Sequence, residues 1–166
     1  MRVLAALCVF ALLSGSASAQ QAAAQNPPPD LTKAAYVFAA DLAAMVAKQP
    51  ADRNGTINRL PQFPPYAVNI EHRVPVAQSA SVHETEAELF YIIDGAATIV
   101  TGGKLVDPTR NGANLSSTKG VEGGVAQKLS KGDFVMVPAG VPHWFTDIQG
   151  SITQMALHLP MIPPAK

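Results

Sequence analysis

Two short segments gather the side chains best suited to chemistry. The first reads His83-Glu84-Thr85-Glu86-Ala87-Glu88, then six residues, then Gly95. The second reads Gly132, five residues, Pro138-Ala139-Gly140, two residues, His143. The chain holds only four His, at 72, 83, 143 and 158. Imidazole and carboxylate together offer metal ligation or proton transfer. Two imidazoles and one carboxylate with open positions suit Fe, and also Mn, Zn or Ni. Other chemistries lack their groups. His83 begins like a zinc-protease motif, but its fifth position is Ala87, and no helix is expected there. No nucleophile elbow, phosphate loop or dinucleotide fingerprint occurs. A triad built on Ser81 has no supporting partner pattern. Asn54-Gly55-Thr56 and Asn114-Leu115-Ser116 match glycosylation sequons, a common chance match.

The elements that must position these groups read as short strands. Val68, Ile70, His72 and Val74 alternate with polar residues from Tyr66 onward. Leu89 to Ile93 reads as a strand, Asp94-Gly95 as a tight turn, and Ala96 to Thr101 as the returning strand. Gly102 to Lys131 reads as a long polar connection, which could serve as a lid. Phe134 to Val137 has the pattern of a buried strand. His143 to Ile148 and Ile152 to Leu159 are further strands. Before them, 34–38 begins a helix or forms a short strand. Asp41 is a plausible N-cap for a helix over Leu42 to Lys48. Residues 49–65 hold four Pro and an Asn-Gly pair and read as loop. Strands without helical crossovers argue for an all-β antiparallel sandwich or barrel.

Length and composition bound the rest. At 166 residues the chain has room for one domain. Twelve basic and twelve acidic residues balance, so no electrostatic footprint for nucleic acid or an anionic membrane exists. Met1-Arg2, the apolar run Val3 to Leu13 and Ala17-Ser18-Ala19 read as a secretory signal peptide, residues 1–19. The expected location is therefore periplasmic or secreted, with no membrane attachment after signal removal. Cleavage removes Cys8, the only cysteine, so no disulfide or Cys-based zinc cluster is available. Residues 20–33 read as a flexible segment, 34–162 as the domain and 163–166 as a tail.

With these motifs in place, the chain resembles the cupin superfamily. Its first motif is written G-x5-H-x-H-x3–4-E-x6-G and its second G-x5-P-x-G-x2-H-x3-N. His83, Glu88 and Gly95 fit the first; Gly132, Pro138, Gly140 and His143 fit the second. The matched segments are 75–95 and 132–147. The sequence departs at Pro75 for the opening Gly, Ser81 for the first His and Asp147 for the closing Asn. The resemblance implies a jelly-roll barrel, the double-stranded β-helix, with a divalent transition metal at its mouth. His83, Glu88 and His143 carry over as ligands, and Ser81 removes one. Ser81 and His83 share a strand face. Ser81 could hold a water there or leave the position open to substrate. Alternatively His72 could reach in from the preceding strand as a third imidazole; His158, on the last, is the weaker candidate and otherwise a pocket residue.

Parity guesses the lining. Phe90 and Ile92 share the face of Glu88, and Phe145 shares that of His143, so these line an apolar cavity. Trp144 would pack outside. Glu84 and Glu86 read as solvated loop acids, and Asp147 as structural. The expected function is an exported cupin acting on a small oxygen-bearing molecule, oxygenase-like or lyase/isomerase-like. The alternative is a non-enzymatic binding module. Open sheet edges point to a homodimer, with the elements near 34–48 as edge covers.

Overall fold

The computed structural model describes residues 30–57, 60 and 64–161. The expected signal peptide, most of the flexible segment and the tail 163–166 lie outside the described residues. Among the described residues no helix is long and apolar enough to cross a membrane.

One helix precedes a run of strands. The helix α1 is Ala39–Val46, and β1 is Gly55–Ile57, β2 Ala67–Arg73 and β3 Ala80–His83. The long β4 is Glu86–Thr101. Next come β5 Lys104–Leu105, β6 Thr109–Asn111, β7 Asn114–Ser117, β8 Val121–Glu122 and β9 Val125–Ser130. The chain closes with β10 Phe134–Val137, β11 His143–Thr146 and β12 Ile152–Pro160. The pairings are antiparallel, in the order β1-β2-β12-β4-β11-β3-β7-β6, with β9 and β10 also on β4.

The strand β4 is the hinge of the architecture, and here the expected hairpin is corrected. Asp94-Gly95 does not reverse the chain; β4 runs through it. Its first half pairs with β12 and β10, its second with β11 and β9. At the crossing the ladder slips between Thr153 and Gln154, leaving one extra residue on β4. That residue flips the inward face from even to odd numbers. Phe90 and Ile92 point inward before it, Ala97 and Ile99 after it, all within one buried cluster. Gly95 permits the bend: φ is +83°, and a Cβ there would sit 2.0 Å from the Ser151 carbonyl oxygen.

The core fills the curled sheet, with Phe90, Ile92, Ile99, Phe145 and Ile152 almost without exposed surface. A second cluster lies on the outer face. There Leu42, Met45 and Val46 of α1 pack on Ile57, Leu60 and Ile70. The helix thus covers a sheet face and is not the edge cover expected. It also begins three residues before Leu42. Phe38 is the N-cap, without a side-chain cap bond, and Asp41 sits in the first turn, where the helix dipole favours an acid. Residues 34–38 form neither helix nor strand.

Three further expectations change. The loop 49–65 contains β1, which pairs with β2. The connection Gly102 to Lys131 is mostly strand, β5 to β9. Its strands are short and bury one residue or none each, such as Ser117 and Leu129, so alternation was too sparse to read. The strand β10 is not buried on both faces: Phe134 is 71 % exposed while Val137 is buried.

Candidate metal centre

Four strands deliver the chemistry-bearing side chains to one end of the barrel. Ser81 and His83 share a face of β3, and His83 is its last residue. The turn of the second motif is stitched to it, since the Gly140 N–H donates to the His83 carbonyl at 2.8 Å. Gly140 makes that turn at φ +77°. His143 opens β11 directly opposite Ser81. Glu88 on β4 is the register partner of His158 on β12.

The imidazoles converge on the Glu88 carboxylate. Nε2 of His143 stands 3.2 Å from Oε2, and Nε2 of His83 stands 3.3 Å from the same oxygen. Nε2 of His158 stands 3.4 Å from Oε1. His83, Glu88 and His158 each place a ligand atom within 4.8 Å of the other two. His143 joins them through Glu88, its ring centroid 5.5 Å from that of His83. Glu88 and His143 are buried, whereas the His83 and His158 side chains keep 17 % and 15 % of their surface. The cluster therefore opens to solvent on the His83–His158 side.

Outer groups hold two of the rings. Asn114 Oδ1 lies 2.9 Å from Nδ1 of His83. Glu86 Oε1 lies 3.1 Å from Nδ1 of His158 and 3.6 Å from Nδ1 of His83. Beneath the centre, Phe90 lies 5.5 Å from the His143 ring and meets Phe145 edge-on at 5.1 Å.

The electrostatics follow from burial against pairing. Burial pushes the Glu88 carboxyl up, but the imidazoles of His143 and His83 close to it, with the charges of His143 and His158, outweigh it and leave it at about 2. His83 is pushed up to about 9, chiefly by its contact with Glu88, against the opposing effect of burial. Asn114 and the charges of Glu88 and Glu86 add to the rise.

The residues fit a divalent ion on two counts. Three imidazoles and a carboxylate are a donor set for Fe, Mn, Zn or Ni. Moreover, Glu88 Oε2 is buried yet makes no well-aligned hydrogen bond, although two imidazole nitrogens face it. Side chains that aim lone pairs at a shared point leave this signature, and a carboxylate so placed is costly without a partner.

Of the residues singled out in the sequence, His83, Glu88 and His143 come together. His158 joins them. His72 does not: its Nδ1 meets Thr153 Oγ1 at 2.9 Å. Ser81 is half-buried beside the centre. Phe90 and Phe145 form a packed floor and Ile92 a core residue, all essentially without exposed surface, so they pave the site instead of lining an open cavity. Trp144 packs outside, its Nε1–H donating to the Gln78 carbonyl at 3.0 Å. Glu84 is an exposed loop acid, as expected, and pairs with Arg110; Glu86 is not a solvated loop acid but half-buried at the start of β4, facing His158 and His83. Glu86 shares the parity of Glu88, a signal available in the sequence. Asn114 carried no such signal, because only the β3–β7 register places it opposite His83.

No family model and no curated relative matches this sequence. Solved structures do resemble it. TT1209 from Thermus thermophilus superposes with a TM-score of 0.51 at 16 % identity, over 71 % of this chain and 93 % of that one. The Cnp3 cupin domain of Schizosaccharomyces pombe matches with a TM-score of 0.47 at 11 % identity, over 65 % of each chain. The DMSP lyase DddQ from Ruegeria pomeroyi matches with a TM-score of 0.46 at 17 % identity, over 79 % of this chain and 54 % of that one. The likeness is one of fold alone: an all-β, curled antiparallel sheet.

Proposed function

We propose that this chain, a barrel of cupin fold, is an exported protein that holds a divalent transition metal through His83, Glu88, His143 and His158 and acts on a small oxygen-bearing molecule. The observation that carries the reading is the meeting of three imidazole Nε2 atoms at 3.2–3.4 Å from one buried carboxylate. An ion bound there supplies Lewis-acid polarisation of a substrate oxygen, which serves oxygenase, lyase and isomerase chemistry alike. The chain's own residues supply the setting. Phe90 and Phe145 exclude water from below, and the half-buried rings of His83 and His158 border the open side. Ser81, where the motif places its leading imidazole, offers a hydroxyl to a substrate oxygen.

Purification followed by elemental analysis and calorimetric titration with Fe, Mn, Zn and Ni tests the reading. Stoichiometric uptake lost in His83→Ala supports it; no tight uptake of any of the four overturns it. A non-enzymatic binding module would keep its ligand affinity in His83→Ala after the metal is lost.

Export is supported by the leader-like segment 1–19, and sequencing of the mature N-terminus, expected at Gln20, tests it. Pairing into a homodimer is supported by Phe134, Tyr91 and Met136, which leave apolar surface exposed on β10 and β4. Light scattering that returns a clean monomer would contradict it.

A further inference from the structure

We infer that Asn114 and Glu86 are positioning residues, each fixing the proton of one imidazole on Nδ1 so that His83 and His158 present Nε2 to the centre. The inference rests on the metal reading of the same site.

An ionised carboxylate only accepts hydrogen bonds. Glu86 Oε1, 3.1 Å from Nδ1 of His158, therefore requires a proton on that nitrogen. The amide oxygen of Asn114 likewise only accepts, and it stands 2.9 Å from Nδ1 of His83. With Nδ1 protonated on both rings, Nε2 is the atom left to bind. Those are the atoms 3.3 and 3.4 Å from the Glu88 carboxylate. Ligand imidazoles are commonly oriented by such a bond from the far nitrogen.

The placement of both groups is built into the fold. Glu86 opens β4 two residues before Glu88, on the same face. Asn114 opens β7 opposite His83 in the ladder. The β6–β7 hairpin is fastened to the residue after His83 by two devices. The Glu84 N–H donates to the Ala113 carbonyl at 2.9 Å. The Arg110 guanidinium donates twice to the Glu84 carboxylate, at 2.6 and 3.0 Å. The clamp sets the hairpin against the strand that ends at His83, so Asn114 reaches the ring from a fixed distance. Nδ1 of His143, by contrast, is buried with no hydrogen-bond partner among the described residues. Two of the three rings are thus oriented from outside.

The test uses the full mature chain with 15N-labelled histidine. Long-range 1H–15N spectra are recorded metal-free above pH 9, where the His83 ring is neutral, and after addition of Zn2+. The wild type is expected to show a protected proton on Nδ1 of His83 and of His158 in both states. Asn114→Leu should remove that protection at His83 alone, and Glu86→Leu at His158 alone. Each should weaken Zn2+ binding about 10- to 100-fold. Asn114→Asp, which keeps an acceptor oxygen, should restore the His83 signal. If the leucine variants do not fold, the wild-type and Asn114→Asp spectra still decide. An unprotonated Nδ1 on either ring in the wild type, or an unchanged His83 signal in Asn114→Leu, overturns the inference. If wild-type protein takes up no Zn2+, the metal reading fails, while the metal-free spectra still judge the positioning bonds.

Discussion

Glu88 and His158 face each other across the β4–β12 ladder, with His158 Nε2 3.4 Å from Glu88 Oε1. This relationship brings a third imidazole to a centre whose first motif lacks its leading His at Ser81. It comes from the last strand of the barrel, far beyond Glu88 in the chain, and not from the strand that carries Ser81.

His158→Ala should therefore damage metal binding as His83→Ala does. Each is expected to raise the Kd for Zn2+ by more than about 100-fold, beyond the 10- to 100-fold typical of outer residues. His72→Ala, whose ring meets Thr153, should leave that Kd within about twofold. Calorimetric titration of the three variants checks both expectations.

The metal-free protein should carry a pH signature of the Glu88–His83 contact. His83 is raised from 6.5 to about 9, so its contribution to stability is complete below pH 6.5 and lost as pH rises through 9. Glu88 is lowered from 4.5 to about 2, so its contribution is complete above pH 4.5 and lost as pH falls through 2. The Glu88–His83 contact enters both shifts, with His143 and His158 adding to that of Glu88, and it is at full strength between pH 4.5 and pH 6.5. Urea midpoints in chelator should fall between about pH 6 and about pH 9 in wild type, and less steeply in Glu88→Gln. Zn2+ affinity should rise over the same interval, because the ion displaces a proton from His83.

Gly95→Ala tests the strand crossing. The residue would take a left-handed φ, and its Cβ would strike the Ser151 carbonyl and the backbone of Ile152. A loss of roughly 3 kcal/mol or more is expected by denaturant unfolding. Gly112→Ala, at a turn with no atom within 4 Å of the new Cβ, should cost no more than about 1–3 kcal/mol from its left-handed φ alone.

Phe90→Ala tests the floor. Phe90 has no exposed surface and packs on both Phe145 and His143. Its truncation should cost about 3–5 kcal/mol of stability. It should also weaken Zn2+ binding, because the His143 ring loses the surface it rests on. Chemical denaturation and calorimetric titration of the same variant read the two effects.

The motif spacings singled out His83, Glu88 and His143, and the structure brings these side chains together. Gly140 makes a turn with a left-handed backbone, and Gly95 adopts the same backbone within the continuous strand β4. What sequence could not supply was register. His158 and Asn114 reach the centre only because β12 pairs with β4 and β7 with β3. His72 looked better placed than His158 to reach in, yet its ring meets Thr153. The Asp94-Gly95 pair misled because the same dipeptide serves a hairpin or a bent strand, and only the partners of β4 decide between them. The strands within 102–131 were hidden by their shortness, with too few inward residues to set up a period of two.

The most direct test of the account is calorimetric titration of the metal-free mature protein with Fe(II) and Zn2+ under buffered, near-neutral conditions. The account predicts one site per chain, proton release on binding, and loss of that site in Glu88→Gln and in His158→Ala. Absence of a site in the wild type, or a site that survives both substitutions, would contradict it.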